Sequence, residues 1–286
     1  MLQQVHTKPK VSASIGNVSL KTANTLLVSD LMDLFEEKIY ALRVLNYYPL
    51  AQAEQVSQKL IQDVNLERYR RVPDLGVIRS GITFFETNGS IDMLERYYKE
   101  APEFIQNLRK NCFPFLSPID KLRLDLGDMW LAGAYIEDIH QRRMLAGISR
   151  VFEDGFELPP HQDMLVRDIL DGALPPSRLY EDLKTQVSGN VYLRCPEVGG
   201  ELEIWDLKPD RVEQQSIRDD EYQYEGIIDR ESLPSPAVVI KPEVGDLILF
   251  DSGRIHAVRS SVGGPRVSVS MFVGYRGVDK PLTYWN

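Results

Sequence analysis

Apolar residues at helical spacing dominate the first half of the chain. In residues 24–38 they recur every three or four positions, which predicts a helix. Residues 39–48 carry aromatic and aliphatic side chains and predict a strand, and residues 51–62 predict a second helix. Further helical stretches lie within residues 91–130. Three prolines are expected to separate them: Pro102, Pro114 and Pro118.

Short β-prone runs replace this pattern from about residue 135 onward. Six such runs, the last of them RVSVSMFVGY, are separated by glycine and proline turns. They predict a sheet-rich sandwich or barrel that the N-terminal helices pack against on one side. Residues 206–236 interrupt the strands with a mostly polar and charged segment. A connection of this length is compatible with a lid over a site and, equally, with a solvated surface loop.

The length of 286 residues predicts a single domain, because all-β barrels of roughly this size commonly share one core. Within the domain 1–286, we expect a helical N-terminal part with edge strands at residues 1–134. The β-rich core is expected at residues 135–286, with 206–236 as an insertion in it.

Charge and composition exclude several classes of partner. A net charge of −9 disfavours nucleic acids and anionic membrane surfaces, because both would repel the protein. Only two cysteines are present, Cys112 and Cys195, which predicts no disulfide framework and no cysteine-rich zinc site. No apolar run reaches the length of a signal peptide core or a membrane span. We therefore expect a soluble cytoplasmic protein with a small-molecule partner, and nothing in the pattern fixes an oligomeric state.

The candidate chemistry centres on His161-Gln162-Asp163 and a distant His256, in a chain with four histidines. Pro159 and Pro160 hold the preceding backbone extended, so that residues i and i+2 project to the same face. His161 and Asp163 can therefore reach one metal ion. Two imidazoles and one carboxylate leave one face of the metal open, an arrangement that suits non-haem Fe(II).

A candidate anion site lies ten residues beyond His256. Arg266 and Ser268 share one face of an alternating strand, so a guanidinium and a hydroxyl can bind the same carboxylate. Tyr192 lies on another β-prone run, NVYLRC, one face of which is expected to line the cavity. There it is a candidate to contact a cosubstrate or a substrate.

Each motif taken alone is weak evidence for a metal site, because a His-x-Asp triplet occurs by chance and an isolated histidine is more often a core or surface residue. Their joint order is more specific: PPHQD, then GGELEIW, then GDLILFDSGRIHAV, then GGPRVSVSMFVGY. Over residues 140–278, this order resembles the Fe(II)/2-oxoglutarate-dependent oxygenases. The ending LTYWN and the overall spacing are similar to the cyanobacterial alkaloid halogenases of that superfamily and to their hydroxylating relatives.

The resemblance implies a jelly-roll (double-stranded β-helix) core and a full set of ligands. It implies Fe(II) held by His161, Asp163 and His256, with 2-oxoglutarate as cosubstrate and O2 as oxidant. Arg266, with Ser268, would hold the 5-carboxylate of 2-oxoglutarate. The halogenases carry Gly or Ala at the carboxylate position, whereas this chain has Asp163. Hydroxylation or another oxidation is therefore implied, rather than halogenation.

The resemblance predicts hydroxylation of an unactivated C–H bond in a small metabolite, an amino-acid derivative or a nitrogenous product of secondary metabolism. 2-Oxoglutarate would be decarboxylated to succinate. Desaturation, epimerisation and ring formation remain open, because they begin from the same oxidising species. Two other hypotheses also remain open: a hydroxylase of peptide or protein side chains, and a cupin-like binding protein without catalysis.

Three further arginines are adjacent to these motifs. Arg254 and Arg259 flank His256, and Arg150 lies in the strand that leads to His161. We interpret all three as ion-paired or solvated arginines, with contact to an anionic ligand as the alternative.

Overall fold

The structure is a computed structural model of the chain that describes residues 20–63, 66–87, 90–139, 141–170, 182–222 and 226–286. The helices are α1 (Val28–Phe35), α2 (Leu50–Ile61), α3 (Ile91–Cys112), α4 (Pro118–Met129), α5 (Leu165–Leu170) and α6 (Arg211–Ser216). Short 3-10 helices span Pro73–Leu75, Phe84–Thr87 and Arg230–Ser232.

The strands follow one another along the whole described chain. They are β1 (Leu20–Ala23), β2 (Ala41–Val44), β3 (Glu67–Arg68), β4 (Val77–Ser80), β5 (Ala134–Ile136), β6 (Asp138–Ile139), β7 (Arg142–Arg143), β8 (Ile148–Phe152), β9 (Leu158–His161), β10 (Thr185–Arg194), β11 (Val198–Gly199), β12 (Leu202–Ile204), β13 (Val238–Ile240), β14 (Leu247–Asp251), β15 (His256–Val258), β16 (Ser261–Val262), β17 (Arg266–Tyr275) and β18 (Leu282–Trp285).

Two sheets form the core of the fold. The larger sheet has the order β1-β2-β14-β10-β17-β8-β4-β3, and β18 joins it beside β17 and β5. The smaller sheet has the order β13-β12-β15-β9. The N-terminal strands β1 and β2 extend one side of the larger sheet, while β3 and β4 extend the other. Strands of the N-terminal part thus lie at both ends of the larger sheet.

Alternation along the central strands gives the larger sheet one apolar face and one polar face. On β17, Val267, Val269, Met271 and Val273 belong to the largest apolar cluster, which also contains residues of α1, α2 and α4. The residues between them, from Arg266 to Phe272, face the other way, because successive side chains of a strand point to opposite faces. The helices thus cover one face of the sheet and leave the other for a cavity.

Pro102 lies inside α3 and does not end it, so the predicted break at this proline is wrong. A proline in a helix interior removes one hydrogen bond, here to the carbonyl group of Tyr98. The buried residues of α3 continue on both sides of Pro102, from Leu94 and Tyr97 to Leu108 and Cys112. Tertiary packing of this apolar face outweighs the lost hydrogen bond.

Residues 206–222 and 226–236 contain short elements, among them α6 and the 3-10 helix Arg230–Ser232. A capping box between Asp210 and Glu213 begins α6. The indole of Trp205, which is buried, donates a hydrogen bond to the carbonyl oxygen of Pro234 at 2.7 Å. This bond brings the two ends of the segment together. A lid function for this segment stays a prediction.

The longest helices are amphipathic and carry many charged residues. Within the described ranges, no helix is long and apolar enough to cross a membrane.

Candidate metal and cosubstrate site

The three predicted metal ligands lie together between the two sheets. His161 ends β9 and is the register partner of His256 at the start of β15. Asp163 follows two residues after His161, and its Oδ2 atom lies 3.5 Å from Nε2 of His256 and 4.0 Å from Nε2 of His161. One ligand atom from each of the three residues falls within 4.8 Å of the other two. This spacing is compatible with a single metal ion.

Backbone carbonyl groups fix the orientation of both imidazoles. Nδ1 of His161 lies 2.8 Å from the carbonyl oxygen of Pro159, and Nδ1 of His256 lies 2.9 Å from that of Arg254. A carbonyl oxygen can only accept, so each Nδ1 carries the hydrogen and each Nε2 presents a lone pair. Metal-binding histidines in proteins are commonly oriented in this way.

The segment that carries Asp163 is tied to the loop before β15. The Asp163 N–H donates to the carbonyl oxygen of Ser252 at 3.0 Å. Gln162, which is buried, donates from Nε2 to the carbonyl oxygen of Gly253 at 2.7 Å. Residues 252–254 therefore hold both halves of the triad, which are far apart in sequence.

The environment keeps His161 and Asp163 in the protonation states that bind a metal. Burial, together with the proximity of His256, lowers the pKa of His161 to about 4, so the ring is neutral near pH 7. Burial alone would raise the pKa of Asp163. The contact with the His256 ring and the proximity of His161 outweigh burial, and the pKa of Asp163 lies below its usual range.

Arg266 and Tyr192 form a second polar group in the same cavity. Nη2 of Arg266 donates to the hydroxyl oxygen of Tyr192 at 3.0 Å, and the guanidinium lies over the rings of Phe152 and Tyr192. Arg266 is 3 % exposed, yet its Nε and Nη1 atoms have no hydrogen-bond partner among the described residues. Ser268 is on the same face of β17 and lines the cavity. A buried guanidinium with unused N–H groups is suited to a carboxylate ligand.

The cavity runs between the sheets along the inward face of β17. Arg266 and Phe272 lie six residues apart on this face, roughly 20 Å in an extended strand. Phe272 pairs with Ser188, which pairs with Phe250, and the Phe250 ring contacts the His256 ring with centroids 4.8 Å apart. The triad therefore lies toward the Phe272 end, and the Arg266 guanidinium reaches in from the other end.

The donor set fits the cofactors that the sequence predicts. Two imidazoles and one carboxylate on one side of a cavity form a facial triad that leaves coordination positions open, as non-haem Fe(II) requires for oxygen chemistry. The unused N–H groups of Arg266 fit the distal carboxylate of a dicarboxylic acid. His161, Asp163 and His256 would hold ferrous ion, and Arg266 would hold 2-oxoglutarate.

The neighbouring arginines differ from one another in their surroundings. Arg259 is ion-paired with Glu203 at the surface, as the sequence predicts. Arg254 is ion-paired too, but it is buried. Arg150 lines the cavity and donates from Nε to the hydroxyl oxygen of Tyr69 at 2.7 Å, and it forms no ion pair among the described residues.

Sequence patterns also missed the wall of the cavity that belongs to the N-terminal part. Phe84 and Phe85 line it together with Tyr69, and they lie in or near short elements that carry no motif. Only a clustering of aromatic residues in residues 82–87 could have indicated them. His6 and His140, predicted to face solvent, are outside the described residues.

Comparison with protein families gives one match that spans most of the chain. The family described as carrier-protein-independent halogenase WelO5 matches residues 18–286. An L-isoleucine 3(1)-dioxygenase of Pantoea ananatis (strain AJ13355) is 28% identical over 136 residues. That match covers 45% of this chain and 42% of the enzyme, so it spans less than half of the relative's length.

Two solved structures share the fold. An N-substituted L-amino acid dioxygenase from Burkholderia ambifaria AMMD has a TM-score of 0.60 and 15% identity, over 90% of this chain and 91% of that chain. Its complex with alpha-KG (2-oxoglutarate) has a TM-score of 0.59 and 18% identity, over 90% of each chain. This likeness in fold confirms the predicted jelly-roll core with flanking N-terminal helices.

Proposed function

The chain belongs to the family of the carrier-protein-independent halogenase WelO5, and from that premise we propose that it is an Fe(II)/2-oxoglutarate-dependent dioxygenase. Its reaction would hydroxylate an unactivated C–H bond of a small metabolite while 2-oxoglutarate is decarboxylated to succinate. One observation carries the proposal. The triad of His161, Asp163 and His256 opens into the same cavity as Arg266, whose buried Nε and Nη1 atoms have no hydrogen-bond partner among the described residues.

Each residue has a distinct role in this proposal. His161, Asp163 and His256 would hold the iron, which, when bound, supplies the activation of O2. Arg266 would bind the 5-carboxylate of 2-oxoglutarate through its Nε–H and Nη1–H groups, and Tyr192 would fix the guanidinium by accepting its Nη2–H. Ser268, on the same strand face, would donate its hydroxyl hydrogen to that carboxylate. Arg266, Tyr192 and Ser268 are buried, so this end of the cavity is shielded from bulk solvent.

Asp163 favours hydroxylation over halogenation. Its carboxylate is one of the three groups that face a common metal position, and its negative charge would oppose an anion bound at the same place. The chain thus differs from the halogenases that its family is named after, at the residue where their known pattern has Gly or Ala.

The wall beyond the triad supports an apolar substrate with a few polar groups. Phe84, Phe85, Phe272 and Trp285 line it. Thr83 Oγ1 and Asn286 Nδ2, both buried in this wall, have no hydrogen-bond partner within the described ranges. An amino-acid derivative or a nitrogenous natural product fits this chemistry. Relatives that are named for isoleucine and for N-substituted amino acids point to the same class.

The two cysteines support a reducing compartment such as the cytoplasm. Cys112 and Cys195 are both free thiols, and burial raises the pKa of the Cys112 thiol to about 12. Free thiols persist where the medium is reducing.

The test measures binding first and turnover second. Under anaerobic conditions, Fe(II)-loaded protein should bind 2-oxoglutarate, and an Arg266→Gln variant should bind it on the order of 100-fold more weakly. With O2, succinate should form together with a product that has gained one oxygen atom, in a screen of amino acids, N-substituted amino acids and nitrogenous natural products. Protein that neither binds nor consumes 2-oxoglutarate would contradict the proposal and leave a non-catalytic binding protein.

A further inference from the structure

Arg150 is a cavity-lining arginine that the proposed function does not use. It lies on β8 and is the register partner of Ser268 on β17. Its Nε donates to the hydroxyl oxygen of Tyr69 at 2.7 Å, and its Nη1 donates to Oγ of Ser270. Ser270 pairs with Asn190, which also lines the cavity. The guanidinium is thus fixed between the Arg266 end and the metal triad.

No described carboxylate forms an ion pair with this guanidinium. Within the described part of the chain, no carboxylate oxygen lies within 4.0 Å of a nitrogen of Arg150. The nearby Glu86 is ion-paired with the buried Arg79. Tyr69 and Ser270 are neutral acceptors, and the Nη2 group has no hydrogen bond among the described residues. An arginine stays charged, and a partly buried charge is costly unless it is paired.

The proposed cofactors would occupy the other charged groups of the cavity. Ferrous ion would bind Asp163, and the 5-carboxylate of 2-oxoglutarate would bind Arg266, whereas Asp168, which also lines the cavity, lies 3.8 Å from Arg167. Among the described residues that line the cavity, Arg150 is then the arginine without an ion-pair partner. A further anionic group at this position would pair it.

We propose that Arg150 binds a carboxylate inside the cavity, at a subsite separate from that of Arg266. The inference rests on the proposed function. Two sources share this chemistry: the 1-carboxylate of 2-oxoglutarate, at the end opposite to Arg266, and a carboxylate of the substrate. The second source would restrict the substrate to carboxylic acids, such as amino acids and their N-substituted derivatives. Nη2 and the remaining N–H of Nη1 supply a two-pronged contact that a lysine could not reproduce.

The first experiment measures 2-oxoglutarate binding to Mn(II)-loaded protein by calorimetry, for the wild type, Arg150→Gln and Arg150→Lys. If Arg150 holds the 1-carboxylate, Arg150→Gln should weaken binding on the order of 10- to 100-fold, and Arg150→Lys should weaken it less. Ser270→Ala removes one anchor of the guanidinium but keeps its charge, so its effect should be smaller and in the same direction. Arg68→Gln, at an exposed arginine outside the cavity, is the matched control and should bind as the wild type does.

The second experiment tests whether the carboxylate that Arg150 binds belongs to the substrate. Binding of L-isoleucine, N-substituted amino acids and the corresponding carboxamides is measured on protein that already holds Mn(II) and 2-oxoglutarate. If Arg150 holds a substrate carboxylate, Arg150→Gln should leave 2-oxoglutarate affinity unchanged and weaken the acids. The amides should bind poorly to the wild type.

Two results separate the failure of this inference from failure of the proposed function. Wild-type protein that does not bind 2-oxoglutarate in a metal-dependent way contradicts the function itself. Wild-type protein that binds it normally, while Arg150→Gln changes the affinity for neither 2-oxoglutarate nor any acid of the panel, overturns the role of Arg150 alone.

Discussion

The Nδ1 atom of His256 lies 2.9 Å from the carbonyl oxygen of Arg254, which orients this imidazole. The side chain of Arg254 is in turn fixed by ion pairs. The Arg254 side chain lies 2.6 Å from Asp206, 3.0 Å from Glu37 and 3.4 Å from Asp251. Because the guanidinium is buried, these contacts are screened little by water. They fix the loop whose carbonyl groups hold Gln162 and Asp163 as well.

We expect Arg254→Gln to weaken Fe(II) binding by roughly 10-fold, because groups that orient a metal ligand typically contribute this much to affinity. The loop would lose its ion pairs, and His256 would lose its fixed orientation. The measurement is an anaerobic Fe(II) titration, with circular dichroism to show that the fold is retained. Arg259→Gln removes an arginine that is ion-paired at the surface, and it should bind Fe(II) as the wild type does.

The contact between Tyr192 and Arg266 leads to a prediction about the cosubstrate. Tyr192→Phe removes the acceptor of the Arg266 Nη2–H and leaves a buried donor without a partner. A hydrogen bond to a charged group contributes about 1.5 kcal/mol, so 2-oxoglutarate should bind roughly 10-fold more weakly. Calorimetric titration of Mn(II)-loaded protein measures this. An unchanged affinity would mean that Tyr192 does not help to position Arg266.

Asp163 leads to a prediction about the reaction outcome. In buffers with chloride or bromide, the product should gain oxygen and never halogen, because the carboxylate takes the place that a halide would need. Mass spectrometry of the product, with each halide in turn, distinguishes the outcomes. A halogenated product from the wild-type protein would show that Asp163 does not stay bound to the metal.

The sequence predicts residues that belong to motifs more readily than residues that meet across the sheet. His161, Asp163, His256 and Arg266 could be proposed because their order and spacing resemble a known pattern, and strand alternation placed Ser268 beside Arg266. Their roles as ligands stay a prediction. The structure adds that the side chains share one cavity.

Arg150 shows why the other residues of the cavity could not be predicted from the sequence. Its two anchors, Tyr69 and Ser270, lie 81 and 120 positions away in the chain, and no local pattern connects them. The same applies to Pro102, where local chemistry predicted a break. The burial of residues such as Leu94 and Leu108, on either side of the proline, depends on tertiary contacts that helix propensity does not contain.

The buried pair of Arg79 and Glu86 lies behind the cavity and should contribute to stability. The two residues are 1% and 4% exposed, and Glu86 also accepts a hydrogen bond from the Arg70 N–H at 2.9 Å. Glu86 belongs to the 3-10 helix that carries Phe84 and Phe85 of the cavity wall. Removing one partner of such a pair leaves an uncompensated buried charge and costs about 3 kcal/mol or more.

The cost of Arg79→Met should depend on pH. Burial raises the pKa of Glu86 to about 7, while the charge and hydrogen bond of Arg79 oppose the rise. A carboxyl whose pKa is raised in the folded protein favours folding while it is protonated, and this contribution is lost as the pH rises from about 4.5 through 7. Without Arg79 the pKa would rise further, so the free energy of unfolding should fall more at pH 8 than at pH 6. Urea unfolding at the two pH values measures this difference.

The double variant Arg79→Met/Glu86→Leu, which buries no charge at this position, should recover most of the loss and show a weaker dependence on pH. A single variant that is equally destabilised at both pH values would mean that Glu86 does not become an unpaired buried charge.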